Sequence, residues 1–535
     1  MDSAKKVWSF YFPAIVLVGL LAVSWLAKPW FAMPELSLLI ASYTLALLVH
    51  GLLFFLPESR LQSFLSRSRG LVAIAFLLFL CFICLFPISS LSLGDGIILY
   101  ENVALESGLF SFQLTMDEVL TGLWHSSLYH TFFDNPRTAY RLSSTLFGFL
   151  YAGLVFSLYR RYRLEFLAVL LLLFSGGTLI YYGYMENYAP VSCLLAALMV
   201  YGYNCLQQEK PVNSKQLLLL VLGASIAVLT HFLAACLIVF LIYFCWIISL
   251  NQRSFVKNAA LSTLFASVIL ILPLGYFLFF ANVRFDLTQT HIAHPPFYPL
   301  RRLVSMAHFK QLLANAIFVA LPALLLVATE LLFYREDIRE FFSHKANRLL
   351  GCGLLGFAGI AFLQDPMLGF PGDWDYTSLY WFSFSLLAAL YLSYFPEKSR
   401  RYVSVVVLQI LLLLATVAKL QNYSQPEKEK IQATLTLAKE YVKQRKQVVL
   451  GLPPEEKKYF AKMDYFLFRT AQQLQTKTDL ANLQEASELL YQNEIYRDYL
   501  LRNIQSGRSD WKKQLLQELT TYHHRFLKLE TQKDE

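Results

Sequence analysis

Thirteen separate runs of mostly apolar residues, each near the length of a membrane crossing, constrain this chain more than any other feature. A helix needs roughly 20 such residues to span the hydrocarbon core. The runs fall near 10–27, 35–56, 70–93, 140–159, 164–182, 188–206, 216–230, 232–250, 258–281, 311–333, 349–364, 376–395 and 401–418. The first reads as a retained span, because no small-residue cleavage site follows it. Of all residues 56% are hydrophobic and 16% are charged, against about 25% charged in soluble domains. That balance excludes an ordinary soluble enzyme and a disordered chain. It also excludes a nucleic-acid binder with the net charge of +9 as its footprint.

The charges divide the chain in two. Residues 419–535 carry 36 charges in 117 positions, whereas residues 1–418 carry 47 in 418. The expected fold is therefore all-α. A polytopic bundle of about 13 spans over 1–418 includes an outer loop, 94–139, and a small helical domain follows over 419–535. Helices are expected there at 426–447, 454–475, 480–505 and 509–531, broken at Pro453-Pro454 and Ser506-Gly507. No catalytic motif occurs in that domain, and its expected use is packing on the outer loops or contacting a protein partner. Asn422-Tyr423-Ser424 matches a glycosylation sequon, a pattern common by chance. Cys81 and Cys84 lie inside FLCFICLF, and Cys193, Cys236 and Cys245 also lie in apolar runs. They read as packing residues, because redox or zinc chemistry needs polar partners nearby.

Positive charge sets the orientation. The 35 residues of 216–250 can be one long helix or two short ones meeting at Thr230-His231. With two helices and a cytoplasmic N-terminus, 19 Lys and Arg fall inside and 6 outside. A single helix would put the later basic clusters on the opposite face from the early ones. Two helices are therefore expected, with the C-terminus outside. Asp95, Glu101, Glu106, Asp117, Glu118, Asp134, Glu186, Asp286, Asp365, Asp373 and Asp375 then gather on the outer face.

Asp95 sits in a Gly94-Asp95-Gly96 turn after the third run. Beyond it, SFQLTMDEVLTGLWHSSLYHTFF reads as one or two interfacial helices, with Leu120, Leu123, Trp124, Leu128 and Phe132 on one face. Glu186 lies among Tyr184, Asn187 and Tyr188, close to Pro190 at the start of the next helix. His231 occupies a tight turn. The loop 282–310 holds His291, His294, Arg301 and Arg302, and a later loop holds Asp373, Trp374 and Asp375. A carboxylate at a membrane mouth can serve as a general base or take a divalent cation, Mg or Mn. An Arg pair can clamp a phosphate, and aromatics beside carboxylates suit a sugar ring. Such parts fit a transferase using a lipid-phosphate donor. Each also has a plain structural reading. Asp95, Asp373 and Asp375 can cap helices. Arg301 and Arg302 can snorkel to headgroups. Glu186, His231, His291 and His294 can be loop residues. Convergence on one face is the stronger argument.

The arrangement resembles the GT-C superfamily of polytopic glycosyltransferases, which includes protein O-mannosyltransferases and aminoarabinose transferases. The matching residues are Gly94-Asp95-Gly96 with Glu101-Asn102, the stretch 110–133, Gly183-Tyr184-Met185-Glu186-Asn187-Tyr188 and Gly372-Asp373-Trp374-Asp375. The resemblance covers roughly residues 70–418. Two departures stand out. Two spans precede the Asp95 loop instead of one, and that loop lacks a tight carboxylate pair. The resemblance implies a polyprenyl-phosphate sugar donor, inversion at the anomeric carbon, and a bacterial cytoplasmic membrane. It implies Asp95 as general base or metal-orienting carboxylate and Glu186 as its assistant. It further implies donor phosphate held by Arg301 and Arg302. Glu101, Tyr184, Asn187, His231, His294, Asp373, Trp374 and Asp375 are the other candidate substrate-binding residues. The acceptor is a lipid, a glycan or a protein. No motif dictates a cofactor.

Three rivals remain open on sequence. One is a transporter or flippase of a lipid-linked or anionic solute, which usually keeps ionisable residues at midplane; Glu330 is the one weak instance. Another is an assembly scaffold using the helical tail, and a third is an O-antigen-ligase-like enzyme of another fold. Topology gives the first prediction. A reporter fused at the C-terminus is expected to signal an outside location, and a cytoplasmic signal would overturn the thirteen-span reading.

Overall fold

The computed structural model describes residues 36–55, 69–88, 99, 118–133, 135–208, 212–249, 267, 298–364 and 374–421. All belong to Met1–Gln421, one of two units into which the chain divides. The expected spans 10–27 and 258–281 and the helices expected beyond residue 421 lie outside the described residues, as do Asp95, Glu101, His291, His294 and Asp373.

Every regular element among the described residues is helical. In chain order these are α1 (Leu36–Phe55), α2 (Arg69–Leu85), α3 (Val119–Phe132), α4 (Pro136–Tyr162), α5 (Phe166–Leu173), α6 (Tyr188–Gln207), α7 (Ser214–Thr230), α8 (Ile238–Ser249), α9 (Leu300–Leu303), α10 (Met306–Phe333), α11 (Arg335–Phe341), α12 (Lys345–Leu363), α13 (Trp381–Tyr394) and α14 (Val403–Gln421). Their ends follow local chemistry. Asn135 caps α4 by accepting from Arg137 N, with Pro136 at the first position. Asn213 and Gln216 form a capping box on α7. Ser305 caps α10 through His308 N.

Among the described residues, Pro136–Tyr162, Tyr188–Gln207, Met306–Phe333, Lys345–Leu363 and Pro396–Ala418 are long and apolar enough to cross a membrane. Leu52, Leu77, Ile242 and Leu355 stand 61–69% exposed on helix surfaces. Such side chains suit lipid rather than water, and the chain is an integral membrane protein. The stretch 216–250 is broken at His231, whose extended backbone (φ −160°, ψ 126°) separates α7 from a 3-10 turn, Phe232–Leu237. Two helical segments, not one, occupy it.

The run 164–182 departs from a simple span. It is the eight-residue α5 followed by a 3-10 turn, Gly176–Tyr181, with all six turn residues buried. Irregular backbone is tolerated at such depth only inside protein. Close approach explains the glycines. A Cβ on Gly176 would lie 1.9 Å from Phe318 O, and one on Gly177 would lie 2.3 Å from the Trp381 ring.

Helix α10 faces this turn and is itself kinked. Pro322 has no N–H to give Phe318 O, and Ala320 leaves helical geometry (φ −152°, ψ 39°). Gln409 of α14 supplies what is missing. Its Nε2 donates to Phe318 O at 3.1 Å, and its Oε1 accepts from Leu321 N at 3.1 Å. At the other end of α10, Glu330 is fully buried. It accepts from Lys398 Nζ at 2.5 Å, Tyr391 OH at 2.5 Å and Tyr402 OH at 2.9 Å. Lys398 also donates to Asp337, and its ammonium lies 4.4 Å from the centre of the Tyr334 ring.

Gln409→Leu strands two buried backbone groups and is expected to cost about 2 kcal/mol or more. Thermal unfolding in detergent measures it, and an unchanged melting temperature would show that the kink does not depend on Gln409.

Candidate functional site

Three connecting segments meet at the end of the bundle opposite Glu330. The first is the turn from Tyr182 to Asn187. Gly183 (φ 72°) permits it, since a Cβ there would press on Arg141 and Pro87 at 2.9 Å. Ile88 N donates to Tyr182 O at 2.6 Å, so the chain leaving α2 is tied to this turn. Glu186 and Asn187 are buried in it.

The second segment is Trp374–Tyr380. Asn315 of α10 organises it. Its Nδ2 lies 3.0 Å from Trp374 O and Thr377 Oγ1 and 3.1 Å from Ser378 Oγ, and its Oδ1 accepts from Tyr380 OH at 2.7 Å. Asp375 caps the 3-10 turn Tyr376–Ser378 and also accepts from Tyr184 OH at 2.8 Å. The Trp374 ring centre lies 5.8 Å from that of Tyr184. Burial pushes the Asp375 carboxyl up to about 6, against the Tyr184 and Tyr376 hydrogen bonds and the nearby His231, which favour its ionised form.

The third segment is His231 with helix α3. His231 Nδ1 accepts from Leu233 N at 3.2 Å. Its Nε2 approaches Glu118 Oε1 to 3.1 Å, without the alignment of a full hydrogen bond. Tyr188 lies against the imidazole, ring centres 4.9 Å apart. Asn187 Nδ2 donates to Glu118 Oε2 at 2.6 Å, and Thr121 Oγ1 donates to Thr230 O at 2.7 Å. Thus Glu118 joins the first and third segments, and Asp375 joins the first and second.

Tyr184, Glu186, Asn187, His231, Trp374 and Asp375 are therefore brought together. Arg301 and Arg302 are not among them. They lie exposed on α9, where Arg302 stacks over Tyr298 at 5.8 Å and reaches Gln311 Oε1 at 3.4 Å. Gln311 is one helical turn, about 6 Å along α10, from Asn315. Among the described residues no three His, Cys, Asp or Glu side chains are grouped to hold a metal ion. The carboxylates of Asp95, Glu101 and Asp373 lie outside those residues.

Helix α3 splits the expected apolar face: Val119, Thr121, His125, Ser126 and Leu128 are buried, whereas Trp124 and Phe132 are 37% and 71% exposed. At a bilayer the apolar side chains turn outward and the polar ones turn to the protein. His125 and Asn315 were not among the candidate residues. An Asn inside the apolar run LLANAIFVA was the available signal for the second.

No protein-family model and no curated relative matches the chain. Among solved structures it is similar to ArnT from Cupriavidus metallidurans. The apo form is 11% identical with a TM-score of 0.38. The form bound to undecaprenyl phosphate is 14% identical with a TM-score of 0.40. Each match covers 79% of this chain and 74% of the other.

The sign of the Asp375 shift gives a prediction. A carboxyl raised from 3.8 to about 6 by burial costs stability once ionised, so wild type loses ground as pH rises from 4 to above 6. Asp375→Asn carries no such penalty. The stability difference should move in the variant's favour between pH 4.5 and 7.5, by about 2 kcal/mol at most. Melting curves at the two pH values measure it, and a constant difference would count against a protonated, buried Asp375.

Proposed function

We propose that the chain is a membrane glycosyltransferase, moving a sugar from a polyprenyl-phosphate-linked donor to an acceptor at the membrane surface. The observation that carries this reading is the convergence of six candidate residues from separate loops, with Glu118, at one end of the bundle. In this reading the acceptor X–H loses its proton to a carboxylate as its heteroatom bonds to the anomeric carbon. The bond from that carbon to the donor phosphate breaks, and the lipid phosphate leaves with the electron pair. Asp95 is the proposed base, and Glu186 and Asp375 hold acceptor or sugar hydroxyls. Trp374 and Tyr184, both buried, back the Asp375 carboxyl. The exposed Arg301 and Arg302 hold the leaving phosphate.

The location proposed is a bacterial cytoplasmic membrane with this end outside. Glu330 is internally neutralised by Lys398 and hydrogen-bonded by two tyrosines, so it is engaged as a structural pair.

The test incubates the full chain in detergent with short-chain polyprenyl-phosphate sugars and candidate lipid, glycan and peptide acceptors. Asp95→Asn and Glu186→Gln are each expected to lower transfer by about 10²-fold or more. Solute movement in liposomes without any transfer would overturn the enzyme reading. Transfer unaffected by Asp95→Asn would overturn the base assignment alone.

A further inference from the structure

A chain of hydrogen bonds runs from the exposed side of α3 to Glu118, and its two ends fix its direction. At one end the Trp124 indole, which only donates, lies 2.9 Å from Ser143 Oγ. At the other, the Glu118 carboxylate accepts from Asn187 Nδ2 at 2.6 Å. That sets Asn187 Oδ1 toward His125, 3.1 Å from Nδ1, so Nδ1 carries the ring proton. Burial pushes the His125 pKa down to about 3 and keeps the imidazole neutral. Its Nε2 is then bare and accepts from the Ser143 hydroxyl at 3.0 Å. Each polar atom has one role, and none conflicts with its neighbour. Tyr140, stacked on His125 with ring centres 3.7 Å apart, fixes the plane of the imidazole.

On the far side of Glu118 stands His231, close but without a full hydrogen bond. His231 Nδ1 is occupied by Leu233 N–H, which leaves the Nε2 proton facing Glu118 Oε1. The Glu118 side chain keeps 20% of its surface exposed, against 1% for His231. His125, Ser143 and Asn187 are buried, so at this end of the hydrogen-bond chain Glu118 is the group that meets solvent.

We propose that His125 and Asn187 are positioning residues that hold Glu118 aimed beside His231, as a substrate-contacting carboxylate that accepts hydroxyl groups of the sugar or acceptor. This rests on the transferase reading for the class of ligand, and on geometry alone for the positioning. Asn187→Asp is the sharpest probe. It keeps the shape, removes the Nδ2 donor and sets a second carboxylate against the first. His125→Leu removes the donor to Asn187, whereas His125→Asn returns a side-chain N–H near the Nδ1 position.

The test measures pH profiles of transfer, and infrared difference titrations of the full chain in detergent that need no substrate. Glu118→Gln identifies the Glu118 carboxyl band. In Asn187→Asp that band is expected to titrate about one pH unit or more higher than in wild type. The acid limb of kcat/KM should move with it, and transfer at pH 6 should fall about 10²-fold. His125→Asn is expected to recover most of what His125→Leu loses. An unmoved band and limb in Asn187→Asp would overturn the proposal. So would equal losses at every pH in His125→Leu and His125→Asn, which would make His125 a packing residue only. Band shifts in a protein that transfers nothing would leave the positioning chain standing and end the transferase reading.

Discussion

In a bilayer no water is present to satisfy a backbone group that its own helix has abandoned. The structure departs from regular helix at its centre twice, and each departure depends on a contact from elsewhere in the chain. The Gly176–Tyr181 turn lies against α10, which Gly176 lets come within touching distance. The α10 kink at Ala320–Pro322 is completed by the two ends of one glutamine amide on α14. Neither irregularity would persist alone. Together they set where α10 runs above the kink, and so where Asn315 stands to hold the Trp374–Tyr380 segment.

The polar end of the bundle is assembled by a similar economy of contacts. The turn carrying Glu186 and Asn187 and the one carrying Asp375 come from distant parts of the sequence. Tyr184 to Asp375 joins them, and Asn187 to Glu118 ties the first to α3. Because these groups are largely withdrawn from water, each missing partner would leave a desolvated polar atom. The same withdrawal raises Asp375 toward neutrality and holds His125 uncharged. One cause thus disfavours the charged form of two groups of opposite acid–base character.

Much of the helical framework was legible in the sequence. Apolar run length found α4, α6, α10, α12 and α14, and charge asymmetry favoured the break that His231 makes. The run 164–182 was misread as a plain span because a wholly apolar, wholly buried segment has no periodicity to separate helix from irregular backbone. Tyr184, Glu186, Asn187, His231, Trp374 and Asp375 were legible as a set, since each is polar or aromatic at the end of an apolar run. Glu118 was counted as an outer carboxylate, but its partnership with His231 and Asn187 was not foreseen. Nothing in the pattern of α3 set His125 apart, since it lies seven residues, about two turns, before Phe132 at the edge of the apolar face.

Lys398 is one of the 19 cationic residues that orient the chain in the sequence reading, yet in the folded protein it is buried and tied to Glu330 and Asp337. An orienting charge acts while a segment enters the bilayer, before its neighbours have packed around it. In the folded protein this lysine is an internal bond. Once that bond closes, the end of α10 and the start of α14 are fastened at the same face. Reversing the orientation of either helix would then require extracting a charge from inside the protein as well as moving it across the membrane.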